Sequence, residues 1–183
     1  LYTVGSLKSK SPKAKENNMS RPDWKKVFSE ITEIVASRST CARIKVGGLL
    51  VRDNRIISMG YNGVPEGQKH CEEHFKLVYK LNYYDEFKSF EDYLNSELFR
   101  EEHRIFSERN ELHAEANALI YAAKNGVRTQ GSVLYISYSP CMPCSKLILQ
   151  AGVKEVYFNK PYDRDISGST FLMENGVPCS EIS

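Results

Sequence analysis

The sequence predicts an α/β sandwich, and three observations carry that prediction. Short apolar runs of strand length alternate with segments of helical periodicity along most of the 183 residues. Apolar residues make up 41% of the chain and charged residues 26%, the balance of a domain with a real core. No internal repeat is visible, and no apolar run approaches the ~20 residues of a membrane span.

The elements follow in order. Ser20-Arg21-Pro22-Asp23 marks a helix start, and Trp24, Val27, Phe28, Ile31, Ile34 and Val35 then recur at helical spacing. Val46–Val51 and Ile56–Met59 are strands of a hairpin joined by Arg52-Asp53-Asn54-Arg55, with Gly60-Tyr61-Asn62-Gly63 as a following loop. Residues from about 66 to 110 are rich in Tyr, Phe, Glu and Lys and are expected to form an insert with one or two helices around Phe87–Arg109. Glu115–Lys124 is a helix stopped by Asn125-Gly126, and Val133–Ser137 a strand. Cys141–Gln150 is a helix closed by Gly152, followed by a strand at Val153–Phe158, a helix at Asp165–Glu174 and an edge strand at Val177–Ile182. Residues 19–183 are thus expected to be one domain, and the polar, lysine-rich 1–18 a disordered tail or leader, Met19 rather than Leu1 suiting a translation start.

The formal net charge is +2, with no basic stripe interleaved with aromatics, which argues against nucleic acid as a partner. The five cysteines, Cys41, Cys71, Cys141, Cys144 and Cys179, are an odd set with no apolar signal segment ahead of them. They fit metal-bound or free thiols in a reducing cytoplasm (host cytoplasm for a viral chain) better than a disulfide framework. No membrane partner is expected.

Chemistry concentrates in two motifs. His113-Ala114-Glu115 and Pro140-Cys141-Met142-Pro143-Cys144 together supply an imidazole, two thiols and a carboxylate. C-x-x-C alone would also suit a structural zinc knuckle or a redox pair. With H-x-E upstream it forms the pattern of a zinc deaminase. His113, Cys141 and Cys144 give zinc three protein ligands and leave the fourth position for water. Glu115 is too near His113 in sequence to share the metal comfortably but can reach that water as general acid and base. Both ligand groups fall at helix starts, where the amide dipoles favour thiolate over thiol.

These motifs resemble the deoxycytidylate (dCMP) deaminases of the cytidine deaminase superfamily. The likeness extends through Arg38-Ser39-Thr40-Cys41, Lys45-Val46-Gly47, Gly60-Tyr61-Asn62-Gly63-Val64-Pro65, His113–Ala118, Ser139–Cys144 and Gln150-Ala151-Gly152-Val153, covering about residues 20–182. The G-Y-N-G-x-P segment points to dCMP rather than a free base. The resemblance implies a three-layer α/β/α fold with a central mixed five-stranded sheet, assembled as a homohexamer. It implies hydrolysis of dCMP to dUMP and ammonia for thymidylate synthesis, activated by dCTP and inhibited by dTTP, with Mg²⁺ accompanying the effector triphosphate.

For the remaining site residues, the resemblance implies that Asn62 and Ala114 contact substrate, Asn62 at the deoxyribose. An Asn between glycines also suits a plain turn. Arg43, Arg109 and Asn110 are candidates for the 5′-phosphate, since arginine matches phosphate in a bidentate fork. Cys41, Cys71, His103 and Glu111 match positions at which phage enzymes of the family hold a second, structural zinc. On residue types alone, Cys71 with His74, or the neighbouring His70, is an alternative ligand choice. Tyr162 resembles the family's effector-site tyrosine, and Gly60, Tyr61, Asn62 and Gly63 are further effector candidates. Two other readings stay open at this point: a related deaminase acting on cytosine, guanine, a tRNA adenosine or a riboflavin precursor, and a zinc-stabilised interaction protein without turnover. The near-neutral charge disfavours tRNA, and intact His113, Glu115, Cys141 and Cys144 disfavour the last.

Overall fold

Asp53 and Asn54 both adopt left-handed backbone, with φ of 51° and 56°. Two such residues make a turn whose twist matches the strands it joins, here β1 (Gly47–Arg52) and β2 (Arg55–Tyr61). In the computed structural model, which describes residues 21–82, 86–162 and 165–182, this hairpin forms one edge of a five-stranded sheet. The expected tail at 1–18 lies outside the described residues. β3 (Val133–Tyr138) pairs antiparallel with β1, then β4 (Glu155–Lys160) and β5 (Cys179–Glu181) follow in parallel, giving the order β2-β1-β3-β4-β5. The sheet is therefore mixed, with five strands, as expected.

Period-two alternation sends neighbouring residues to opposite faces. Leu49, Val51, Tyr135 and Tyr157 meet Phe28 and Val35 of α1 (Trp24–Ala36) on one face. Leu50, Leu134, Ile136, Val156 and Phe158 meet α5 (Ala114–Lys124), α6 (Met142–Gln150) and α7 (Ser167–Glu174) on the other. Both faces are covered, which is why β1 reads as an almost continuous apolar run.

Two glycines set how close the helices approach. A Cβ on Gly60 would lie 2.4 Å from the Ala118 nitrogen and 2.5 Å from the Ala114 oxygen, inside the α5 backbone. A Cβ on Gly47 would lie 2.2 Å from the Thr32 oxygen of α1. We expect Gly60→Ala to cost about 2 kcal/mol in urea unfolding, because backbone rather than a side-chain tip must yield. An unchanged midpoint would contradict this contact.

The structure corrects one sequence expectation and adds to another. β2 extends through Gly60 and Tyr61, which pair with Gly48 and Gly47, so this segment is strand where a loop was expected. Two helices lie around Phe87–Arg109 as expected, α3 (Phe90–Leu94) and α4 (Glu97–Asn110), and the described residues of the insert add one that was not, α2 (Cys71–Leu81). α2 escaped notice because its inner stripe begins with Cys71, followed by Phe75 and Val78, amid Glu72, Glu73, Lys76 and Lys80. The insert carries its own small core, in which Phe75 meets Phe99 edge-on at 5.0 Å and Tyr93 meets Phe99 at 5.4 Å. Ser89 and Ser96 cap α3 and α4 by accepting from the Asp92 and Phe99 amides, each at 3.1 Å.

Candidate active site and metal centres

Each ligand group of the first motif pair sits at a helix entrance. His113 is the N-cap residue of α5, Cys141 is the N-cap of α6, and Cys144 lies in the first turn of α6. Extended backbone at both caps lets the side chains converge. His113 Nδ1 lies 3.4 Å from Cys141 Sγ and 3.5 Å from Cys144 Sγ. All three donor atoms lie within 4.8 Å of one another. Hydrogen bonding from Cys144, then from His113, brings the Cys141 thiol down to about 4. The same sharing, with burial, pushes Cys144 up. His113 is raised to about 9, chiefly by its bond to Cys141. The trio thus holds protons that a cation would displace, and one nitrogen with two sulfurs is a donor set suited to zinc.

Glu115 stands in the first turn of α5 and is only 4% exposed. Burial raises its carboxyl to about 7, which poises it to take and give a proton near neutrality. The carboxyl, His113 and Cys141 face a cleft of about 390 Å³, within the range of small-molecule sites. Ala114, Asn62, Arg43, Tyr162 and Tyr138 also line it. Asn62 does more than terminate a strand. Its Oδ1 accepts from the Val46 amide and its Nδ2 donates to the Ile44 carbonyl, both at 2.8 Å, so it shapes the 44–46 wall of the cleft. One lone pair and one N–H of its amide remain for a ligand.

Cys41, Cys71, His103 and Glu111 form a second cluster, again within 4.8 Å. Cys41 Sγ is 3.2 Å from His103 Nε2, and Glu111 Oε2 is 4.0 Å from the same nitrogen. Glu111 Oε1 is buried with no hydrogen-bond partner, an unmet acceptor of the kind a cation satisfies. Cys41 is drawn down to about 5, first by the Cys71 thiol and then by His103, while Cys71 and the Glu111 carboxyl are both pushed up. Of the alternative ligands, His70 is 3.1 Å from Thr40 Oγ1 and His74 stacks on Phe106 at 4.5 Å; neither joins the cluster. The two clusters are adjacent, with Cys41, His103 and Glu111 on the same cleft as His113. Leu112, between Glu111 and His113, pairs with Gly63 by hydrogen bonds of 2.8 and 3.0 Å.

The structure does not bring Arg109 and Asn110 to the cleft. Ser107, Arg104 and Glu108 lie about 40°, 100° and 140° from His103 in one sense around α4, and Arg109 lies about 120° in the other. Asn110 donates instead to the Phe106 carbonyl at 2.8 Å. Arg104, Ser107 and Glu108 stand at the cleft in their place, and Asp165 joins from the start of α7. Helical periodicity alone does not single out the first three, since Asn110 lies only about 20° from His103 in phase and is not at the cleft. Among the expected effector residues, Gly60, Tyr61 and Gly63 line a separate broad groove of about 1320 Å³, whereas Asn62 and Tyr162 line the active-site cleft.

Comparison with known proteins agrees with this geometry. Residues 22–160 match the family model described as the cytidine and deoxycytidylate deaminase zinc-binding region. The deoxycytidylate deaminase of Enterobacteria phage T2 is 33% identical over 159 residues, covering 80% of this chain and 85% of the relative. That of Enterobacteria phage T4 is also 33% identical over 159 residues, covering 80% and 82%. The dCMP deaminase of cyanophage S-TIM5, solved with dCMP and dUMP, superposes with a TM-score of 0.66 at 31% identity, over 89% of this chain and 99% of that one. The paired helix entrances, the buried carboxyl between them and these likenesses make the chain a member of the zinc-binding cytidine and deoxycytidylate deaminase family.

Proposed function

We propose that this protein hydrolyses dCMP to dUMP and ammonia. The observation that carries the reading is a cleft of nucleotide size with Glu115 at the entrance shared by His113, Cys141 and Cys144, in a chain similar over 89% of its length to an enzyme solved with dCMP and dUMP. When held by His113, Cys141 and Cys144, zinc supplies the Lewis acidity that makes water a nucleophile near neutral pH. Glu115 takes a proton from the attacking water and places it on N3 of the pyrimidine, as C4 gains its oxygen. It then carries the second proton to the departing amino group, which leaves as ammonia while the C4 carbonyl forms. Ala114, at the head of α5, borders the base, and Asn62 holds the wall beside the deoxyribose. Arg43 meets the 5′-phosphate.

In the same reading, Cys41, Cys71, His103 and Glu111 hold a second, structural zinc. The unmet Glu111 oxygen supports that assignment. dCTP with Mg²⁺ activates and dTTP inhibits; the broad groove along Gly60, Tyr61 and Gly63 supports a separate effector site, while the effector candidate Tyr162 lines the active-site cleft. Exposed Met59, Ile120 and Tyr121 beside that groove support a homohexamer. No helix among the described residues is long and apolar enough to cross a membrane, and the reduced thiols and nucleotide substrate suit the cytoplasm.

A substrate panel tests the proposal. Zinc-loaded protein incubated with dCMP, deoxycytidine, cytosine and CMP is expected to deaminate dCMP with the highest kcat/KM. Preference for cytosine, or no product from any of the four, would overturn it.

A further inference from the structure

The cleft is short of positive charge. Among the described residues, Glu108, Glu111, Glu115 and Asp165 face it, against Arg43 and Arg104 as the arginine and lysine side chains of its lining. A phosphate dianion entering this site has those two guanidiniums to meet. Arg43 lies two residues beyond Cys41, and Arg104 directly follows His103, so both flank the second cluster.

Arg104 is already oriented. Its Nε and Nη2 donate to Glu101 at 3.0 and 2.6 Å, and its Nη1 donates to Glu108 at 2.8 Å. Three of five guanidinium N–H groups are thereby engaged and two remain for an oxyanion. Both carboxylates hold the side chain in place at an exposed position, where such pairs contribute little and yield readily to a better anion. They differ in one respect: Glu108 lines the cleft and Glu101 does not. A phosphate bound to Arg104 therefore has the Glu108 carboxylate beside it, and any further phosphate would meet that charge.

We propose that Arg104 is a specificity-determining residue that receives the substrate 5′-phosphate together with Arg43. Glu108, one turn along α4, restricts the site to a nucleoside monophosphate by repelling a second phosphate. Ser107, on the same face, offers a hydroxyl to the same anion. The inference rests on the reading of the protein as a dCMP deaminase and deepens it.

The experiment compares zinc-loaded wild type, Arg104→Gln, Glu108→Gln and Glu101→Gln on dCMP, dCDP and deoxycytidine. Glu101→Gln removes the neighbouring ion pair without removing a charge that lines the cleft, and so controls for helix stability and for loosening of Arg104. Arg104→Gln is expected to lower kcat/KM for dCMP about 10- to 100-fold, mainly through KM, and to leave deoxycytidine unchanged, as loss of a charge-assisted contact to phosphate requires. Glu108→Gln is expected to raise kcat/KM for dCDP relative to dCMP about fivefold, the size of one partly screened repulsion at close range, while Glu101→Gln leaves that ratio alone. An equal loss on dCMP and deoxycytidine in Arg104→Gln, or no loss on either, would overturn the role of Arg104. An unchanged dCDP-to-dCMP ratio in Glu108→Gln would overturn the gate. Wild type that fails to deaminate dCMP would overturn the underlying function instead, a result distinct from wild-type turnover with unaltered variants.

Discussion

Glu115→Gln is expected to abolish deamination while leaving metal content unchanged and raising the stability of the metal-free fold. Loss of a positioned acid–base group costs typically 10²–10⁴-fold in rate. The upper end applies here because one carboxyl serves both proton transfers. The stability effect follows from the same burial. The Glu115 carboxyl rises from 4.5 to about 7 on folding, so the folded state holds its proton more tightly than the unfolded chain. That preference favours the fold below pH 4.5 and is lost as pH rises toward 7, where the carboxylate must be buried charged. At roughly 1.4 kcal/mol per pKa unit, glutamine removes a penalty of about 3 kcal/mol above pH 7 and changes little near pH 4. Metal-free wild type and variant compared by denaturant unfolding at both pH values check this. Equal stability at pH 8 would mean that the carboxyl is not strained by burial, and retained turnover in the zinc-loaded variant would remove Glu115 from the chemistry.

The second large effect concerns Cys41, Cys71, His103 and Glu111. Wild type is expected to contain two zinc ions per chain, and Cys71→Ala one. The cluster joins the loop before β1 to α2 and α4, and its members are thiols and a carboxyl otherwise buried at a cost. With free zinc at a thousand times its Kd, binding stabilises the fold by about 4 kcal/mol. For a chain of this size that is about 8–16 °C in Tm, lost in Cys71→Ala and on chelation of wild type. Binding must release protons, so affinity rises with pH as the Cys71 thiol and Glu111 carboxyl give theirs up. Metal analysis with thermal melts decides the matter; one zinc per wild-type chain at saturation would reject the assignment.

What the sequence made legible was local. The Asp53-Asn54 turn, the periodicity of α1 and the caps at His113 and Cys141 each depend on residues close in the chain, and all appear where expected. Distance and phase were harder. Asn62 looked like a turn residue or a sugar ligand, and only the folded hairpin shows it bridging the Val46 amide and Ile44 carbonyl. Arg109 and Arg104 are both basic residues near His103, and nothing in composition separates them; only the side of α4 that the fold turns to the cleft does. α2 was hidden because its buried stripe starts with a cysteine among charged neighbours. The two clusters share one cleft because Glu111 and His113 are two residues apart, but Cys41 and His103 reach it only through tertiary packing.

The most direct test of the central reading follows dCMP by ultraviolet absorbance with zinc-loaded full-length protein, with ammonia measured in the same sample. The account predicts equal amounts of dUMP and ammonia, turnover that disappears on chelation and returns with zinc, and none in Glu115→Gln. Zinc-loaded wild type that binds dCMP yet releases neither product would contradict it.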